Sequence, residues 1–253
     1  RTSYLRLGVP PDRLFVAHNG WDPARMEPRL SREAARARLG LATGPFTVGY
    51  SGRMNLRKGR DILLAAARAA PEITFVLIGS EGNGPVEREA RTLANVRVVP
   101  WLKFGELGPW LYAADVLVIP PSLAPLERHG NTVLPIKLFL YLAAGRALIA
   151  PRAPDTGELL SDDGNAVLVP PGDVPALVAA LRALAAAPLR AARLAAAAFR
   201  TATDLTWDAR ARHIESFLER RLHAPATTSL PHPDPWSSAR WLGETIRRIL
   251  RVP

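Results

Sequence analysis

Short, near-continuous apolar runs recur along this chain, each followed by turn residues and then a helical pattern, and they constrain its fold more than any other feature. They fall at 46–52 (FTVGYSG), 74–80 (TFVLIGS), 96–101 (VRVVPW), 116–121 (VLVIPP), 147–152 (ALIAPR) and 166–172 (AVLVPPG). A strand with one wet face alternates apolar and polar residues, whereas unbroken apolar runs mark strands covered on both faces. Between the runs the spacing predicts helices over 59–70, 86–93, 106–113, 134–144 and 154–160, with 175–186 after the last run. Strand and helix in alternation predict an α/β fold with a doubly wound parallel sheet. Ligands of such sheets bind beyond the carboxyl ends of the strands. Arg53, Glu81, Trp101, Ser122 and Pro151 stand at or just past those ends.

The flanks are less regular. The run 14–20 (LFVAHNG) reads as a further strand closing on an Asn19-Gly20 turn. Helices are expected over 31–39 and 188–200, and over 206–222, where Trp207, Ile214, Phe217 and Leu218 share one face. We therefore expect one domain over 1–222, a Pro/Ser/Thr-rich linker over 223–235 and an amphipathic helix over 236–253. In that last helix Trp241, Leu242, Ile246, Ile249 and Leu250 oppose Arg240, Glu244, Arg247, Arg248 and Arg251. It packs on protein in one reading and lies on an anionic membrane surface in the other.

Composition closes off several classes. Hydrophobic residues are 48% and charged residues 22% of the 253, as in ordinary globular chains. With no cysteine there is neither a disulfide framework nor a thiolate metal site, and the five histidines lack metal-ligand spacing. No run of about 18 apolar residues exists to span a membrane. The chain opens on Arg1 with no signal-peptide pattern, and is expected to be the later part of a longer protein. A net charge of +10 raises nucleic acid as a partner. However, the arginines are dispersed among alanines along helices and do not interleave with aromatic residues as base-stacking surfaces require. No nucleic-acid partner is expected.

One turn stands out: Gly49-Tyr50-Ser51-Gly52-Arg53-Met54-Asn55-Leu56-Arg57-Lys58-Gly59. It sets glycines, a guanidinium and an ammonium between a strand and a helix. Backbone N–H groups and the helix dipole there favour an anion, and the cations add to it. Of 33 basic residues only Lys58, Lys103 and Lys137 are lysines, and a compact ammonium is not equivalent to a planar fork at a phosphate. A solvated basic turn is the alternative.

Together with Ala17-His18-Asn19-Gly20-Trp21-Asp22, Val76-Leu77-Ile78-Gly79, the 95–101 run, Ala113-Ala114-Asp115-Val116, Pro135-Ile136-Lys137 through Gly145-Arg146, 165–173 and Thr206-Trp207, this turn resembles the Rossmann-like, nucleotide-sugar-binding C-terminal half of GT-B retaining glycosyltransferases of the family 4 type. The resemblance covers about 14–222. It implies an acceptor-binding N-terminal domain absent from this sequence, a UDP- or GDP-sugar as donor, a glycan or lipid acceptor, and no metal or other cofactor. Arg53 and Lys58 match the basic pair that holds the donor diphosphate and helps it leave. Gly52, Asn55, Glu81, Trp101, Leu102, Ser122, Glu127, Gly130, Asn131, Thr132 and Lys137 are the implied donor contacts. Trp101 could equally be a wall residue, and Lys137 a surface lysine that snorkels. The resemblance further implies polysaccharide or glycolipid synthesis in the cytoplasm, at the inner membrane surface if the tail helix binds lipid.

The chain departs from that family at one point. Many members carry two glutamates eight residues apart; here the matching positions are Thr132 and Leu140, and neither ionises. A leucine accepts no hydrogen bond from a ribose hydroxyl. A GT-B-like binding or scaffold protein without turnover is therefore the alternative, with a sugar-nucleotide epimerase behind it. His129, Asp155, Glu158 and the Asp162-Asp163 pair read as loop and turn residues. The assignment requires the Arg53 and Lys58 side chains to face the mouth of the sheet and not to be tied to neighbouring acids.

Overall fold

The computed structural model describes residues 2–53, 59–122 and 134–223. Asn55, Lys58, Glu127, His129, Gly130, Asn131 and Thr132, the linker beyond His223 and the 236–253 helix lie outside the described residues. Two compact units divide them: 17–212, and a smaller one built from 2–16 and 213–223.

In the larger unit the described strands are β1 (Thr47–Ser51), β2 (Thr74–Ser80), β3 (Val96–Pro100), β4 (Val116–Val118), β5 (Ala147–Pro151) and β6 (Val167–Val169). They form one parallel sheet in the order β3-β2-β1-β4-β5-β6. The order reverses between β1 and β4, the point at which doubly wound sheets open a crevice for ligands. The described helices are α1 (Thr2–Arg6), α2 (Arg32–Leu39), α3 (Arg60–Ala69), α4 (Pro85–Arg91), α5 (Leu107–Ala113), α6 (Lys137–Ala144), α7 (Val174–Ala186), α8 (Pro188–Thr203) and α9 (Trp207–Leu222).

Side chains along a strand point alternately to opposite faces, so an unbroken apolar run feeds two cores. Val48, Tyr50, Phe75, Leu77, Val116, Val118 and Ile149 pack with α3, α4 and α7 on one side. Leu117, Leu148 and Ala150 pack with α5, α6 and α8 on the other. At the amino ends Asp115 ties strands to helix. Its carboxylate accepts from Thr47 N at 2.7 Å and Arg36 Nη2 at 2.6 Å, and also pairs with Arg32. Arg36 is 1% exposed and donates further to the carbonyls of Ala113 (2.9 Å) and Thr43 (2.8 Å).

Several expectations need correction. No strand forms over 14–20; Trp21 makes only an isolated bridge to Thr206. Gly20 is there for close approach, since a Cβ on it would lie 2.7 Å from Trp207 N. The 154–160 stretch is a short 3-10 turn, Thr156–Glu158, rather than an α-helix. α6 starts at Lys137, not 134, because the preceding turn is tightened by Leu138 N to Pro135 O and Phe139 N to Ile136 O bonds. β3 is an edge strand and only Val99 in it is buried. α9 forms as expected, with Trp207 44% and Leu218 52% exposed and Ala209 buried.

Candidate functional site: a cleft beyond strands β1 and β2

β1 outruns its neighbour: β4 pairs with it only at Val48 and Gly49. Gly52 N bonds Ile78 O on the β2 side at 2.9 Å, so the N–H of Ser51 faces the side where β4 has ended. Tyr141 of α6 fills the gap, its hydroxyl accepting from Ser51 N at 2.6 Å. One turn earlier on the same helix face, Lys137 Nζ donates to Ser51 O at 2.6 Å and to Tyr50 OH at 2.8 Å. Lys137 is thus half-buried and turned toward the end of β1 rather than out over the surface.

The floor of the site is main chain. Gly52 (φ +141°) and Gly79 (φ +111°) adopt conformations that L side chains rarely reach. A Cβ on Gly79 would lie 2.7 Å from Gly52 O, and one on Gly52 would lie 2.7 Å from Lys137 Nζ. Around this floor opens a cleft of about 280 Å³ lined by Arg53, Lys137, Ile136, Leu140, Ile78, Trp101, Leu102 and Leu107. Trp101 is 61% exposed, and its backbone N bonds Ser80 O at 2.8 Å.

Arg53 does not stand apart from acids, as the sequence reading required. Its Nε lies 3.1 Å from Glu81 Oε1, because the two side chains leave the ends of adjacent strands. Both are well exposed, at 73% and 57%, and such pairs contribute only about 0–1 kcal/mol. A contact of that size is small beside a charge-assisted hydrogen bond of about 1.5–3 kcal/mol. The pairing therefore leaves Arg53 available to a ligand.

Of the sequence-derived candidates, Gly52, Arg53, Trp101, Leu102 and Lys137 meet at this cleft, with Glu81 reached through Arg53. Ser122 is not part of the described lining of this cleft; it packs against Gly59, its Cβ 3.0 Å from the Cβ a side chain at Gly59 would carry. Sequence reasoning missed Tyr50, Gly79, Ile136, Leu107 and Tyr141 as parts of the site. The i, i+4 spacing of Lys137 and Tyr141 was the available signal. Among the described residues no group of three or more His, Asp or Glu side chains could share a metal ion. A larger cleft of about 410 Å³, lined in part by Arg32, Asp115 and Arg146, opens at the amino ends of the strands, away from the ligand-binding edge of a parallel sheet.

Residues 45–187 match the family described as Glycosyl transferases group 1. A D-inositol 3-phosphate glycosyltransferase from Xylanimonas cellulosilytica is 32% identical over 215 residues, which cover 79% of this chain and 50% of the relative. One from Thermomonospora curvata is 31% identical over 224 residues, covering 80% and 50%. The chain spans about half the length of the curated relatives it matches. Among solved structures, sucrose-phosphate synthase from Thermosynechococcus elongatus is similar with a TM-score of 0.69 at 25% identity, over 87% of this chain and 56% of that one. Anabaena HepE in complex with UDP is similar with a TM-score of 0.71 at 20% identity, over 86% and 60%, a likeness of fold. With its six-stranded Rossmann-like sheet matching GT-B structures and more than half its length matching the family, this chain belongs to the Glycosyl transferases group 1 family.

Proposed function

We propose that the protein transfers a sugar from a nucleotide-sugar donor, a UDP- or GDP-sugar, to a glycan or lipid acceptor with retention of configuration. The observation that carries this reading is the polarity of the cleft beyond β1 and β2. Arg53 and Lys137 stand at the main-chain floor, and Trp101, Leu102 and Leu107 form an apolar wall. A nucleoside diphosphate has the same polarity, a charged centre joined to a flat base. In this reading Arg53 and Lys58 meet the charge that builds on the departing diphosphate, which is electrostatic catalysis without a metal ion. Asn55, Glu127, Gly130, Asn131 and Thr132 complete the donor contacts, and a further Rossmann-like domain holds the acceptor. The same reading places the work in polysaccharide or glycolipid synthesis, on the cytoplasmic side of the membrane.

Calorimetric titration with UDP, GDP and ADP tests it. One of the three should bind, and Arg53→Ala and Lys58→Ala should each weaken binding by about 1–3 kcal/mol. No change at either position would overturn the assignment. The buried Leu140 on the cleft wall favours a second reading, a donor-binding protein without turnover. Bound donor that is neither transferred nor hydrolysed over hours would support it.

A further inference from the structure

Leu140 lies one turn beyond Lys137 on α6, is 7% exposed and lines the cleft. The described lining falls into three parts: the cations Arg53 and Lys137, the main chain of Gly52 and Gly79, and an apolar belt of Ile78, Leu102, Leu107, Ile136 and Leu140 with Trp101 at its edge. Ser51 also lines the cleft, but its hydroxyl is engaged with Tyr141 OH at 3.2 Å. A donor whose phosphates meet the cations and whose base meets Trp101 lays its pentose across the belt. Among the described residues of that belt, a pentose hydroxyl gives up water and gains no side-chain partner, which is costly. The C–H face of the same ring gains burial.

We propose that this cleft accepts 2′-deoxynucleoside diphosphate sugars as readily as ribonucleoside ones, with Leu140 setting that tolerance. The inference rests on the nucleotide-sugar reading. A site built to hydrogen-bond a hydroxyl rejects the analogue lacking it by roughly ten-thousandfold, whereas an apolar wall has no such leverage. The donor pool of the protein would then include thymidine diphosphate sugars.

Titration of the full-length protein with UDP and 2′-deoxy-UDP isolates one hydroxyl, with base and diphosphate unchanged. 2′-Deoxy-UDP should bind at least as tightly as UDP, and Leu140→Glu should shift the ratio of the two dissociation constants about tenfold toward UDP. Leu140→Gln, uncharged and close in length, serves should the glutamate variant fail to fold. A tenfold or greater preference for UDP in the unaltered protein overturns the inference, as does an unchanged ratio in both folded variants. If none of UDP, GDP and ADP binds, the donor reading itself falls, and that result differs from a preference for UDP; where GDP or ADP is the one that binds, its 2′-deoxy form is the comparison.

Discussion

The Lys137 ammonium stands 2.6 Å from the Ser51 carbonyl oxygen and 4.0 Å from the centre of the Tyr50 ring. A cation carried on α6 thus clasps the last residue of β1 where the cleft begins. Replacing it with methionine keeps the stem and deletes the charge. Lys137→Met is expected to weaken UDP binding by about 1.5–3 kcal/mol, measured by calorimetry. Lys137→Arg should not restore it, because a planar fork cannot reproduce the paired contacts to Ser51 O and Tyr50 OH.

Tyr141→Phe removes the acceptor for the Ser51 N–H, which is buried and has no strand beside it. An unmade buried hydrogen bond costs about 1–3 kcal/mol. Denaturant unfolding should show that loss as a lower midpoint with an unchanged slope.

The Arg53–Glu81 pair links two exposed side chains. Glu81→Gln should leave the unfolding midpoint unchanged and tighten UDP binding a few-fold, since Arg53 no longer has to leave a partner. Raising the salt concentration should shrink the difference, because exposed charges are screened within about 10 Å at 0.1 M.

Arg36 and Asp115 are 1% and 9% exposed and share one buried ion pair at the amino ends of β1 and β4. Asp115→Ala strands the guanidinium and removes the partner of Thr47 N. A loss of about 3–5 kcal/mol is expected in equilibrium unfolding.

Asp163, at φ +55°, accepts hydrogen bonds from Arg190 and Arg193. The Arg190 hydrogen bond, with the nearby positive charge of both arginines, holds its carboxyl below the ordinary aspartate value of 3.8. A carboxyl lowered in the folded state stabilises above its unfolded pKa and loses that contribution as pH falls through the folded one. Asp163→Asn should therefore lower the melting temperature near neutral pH, and the difference from the parent should vanish as pH falls well below about 4.

The sheet was legible because burial on two faces leaves no room for alternation. Val116, Leu117 and Val118 feed opposite cores, so the whole run is apolar. The same signal misled at 14–20, where Phe15 and Val16 are apolar yet 41% and 42% exposed; hydrophobicity alone does not distinguish a strand from an extended loop. The Arg53–Glu81 contact depends on β2 lying next to β1, and strand order is a tertiary property that no local run encodes. The inward turn of Lys137 depends likewise on β4 stopping short of Ser51.

Gly52 and Gly79 press backbone against backbone, so no side chain can enter that spot without prising two strand ends apart. That part of the floor is thereby closed to gradual modification. Leu140, Ile136 and Trp101 stand on the walls and carry no such restriction. On the proposed donor reading, drift in ligand preference would accumulate along α6 and just after β3, while the ground beneath stayed as it is.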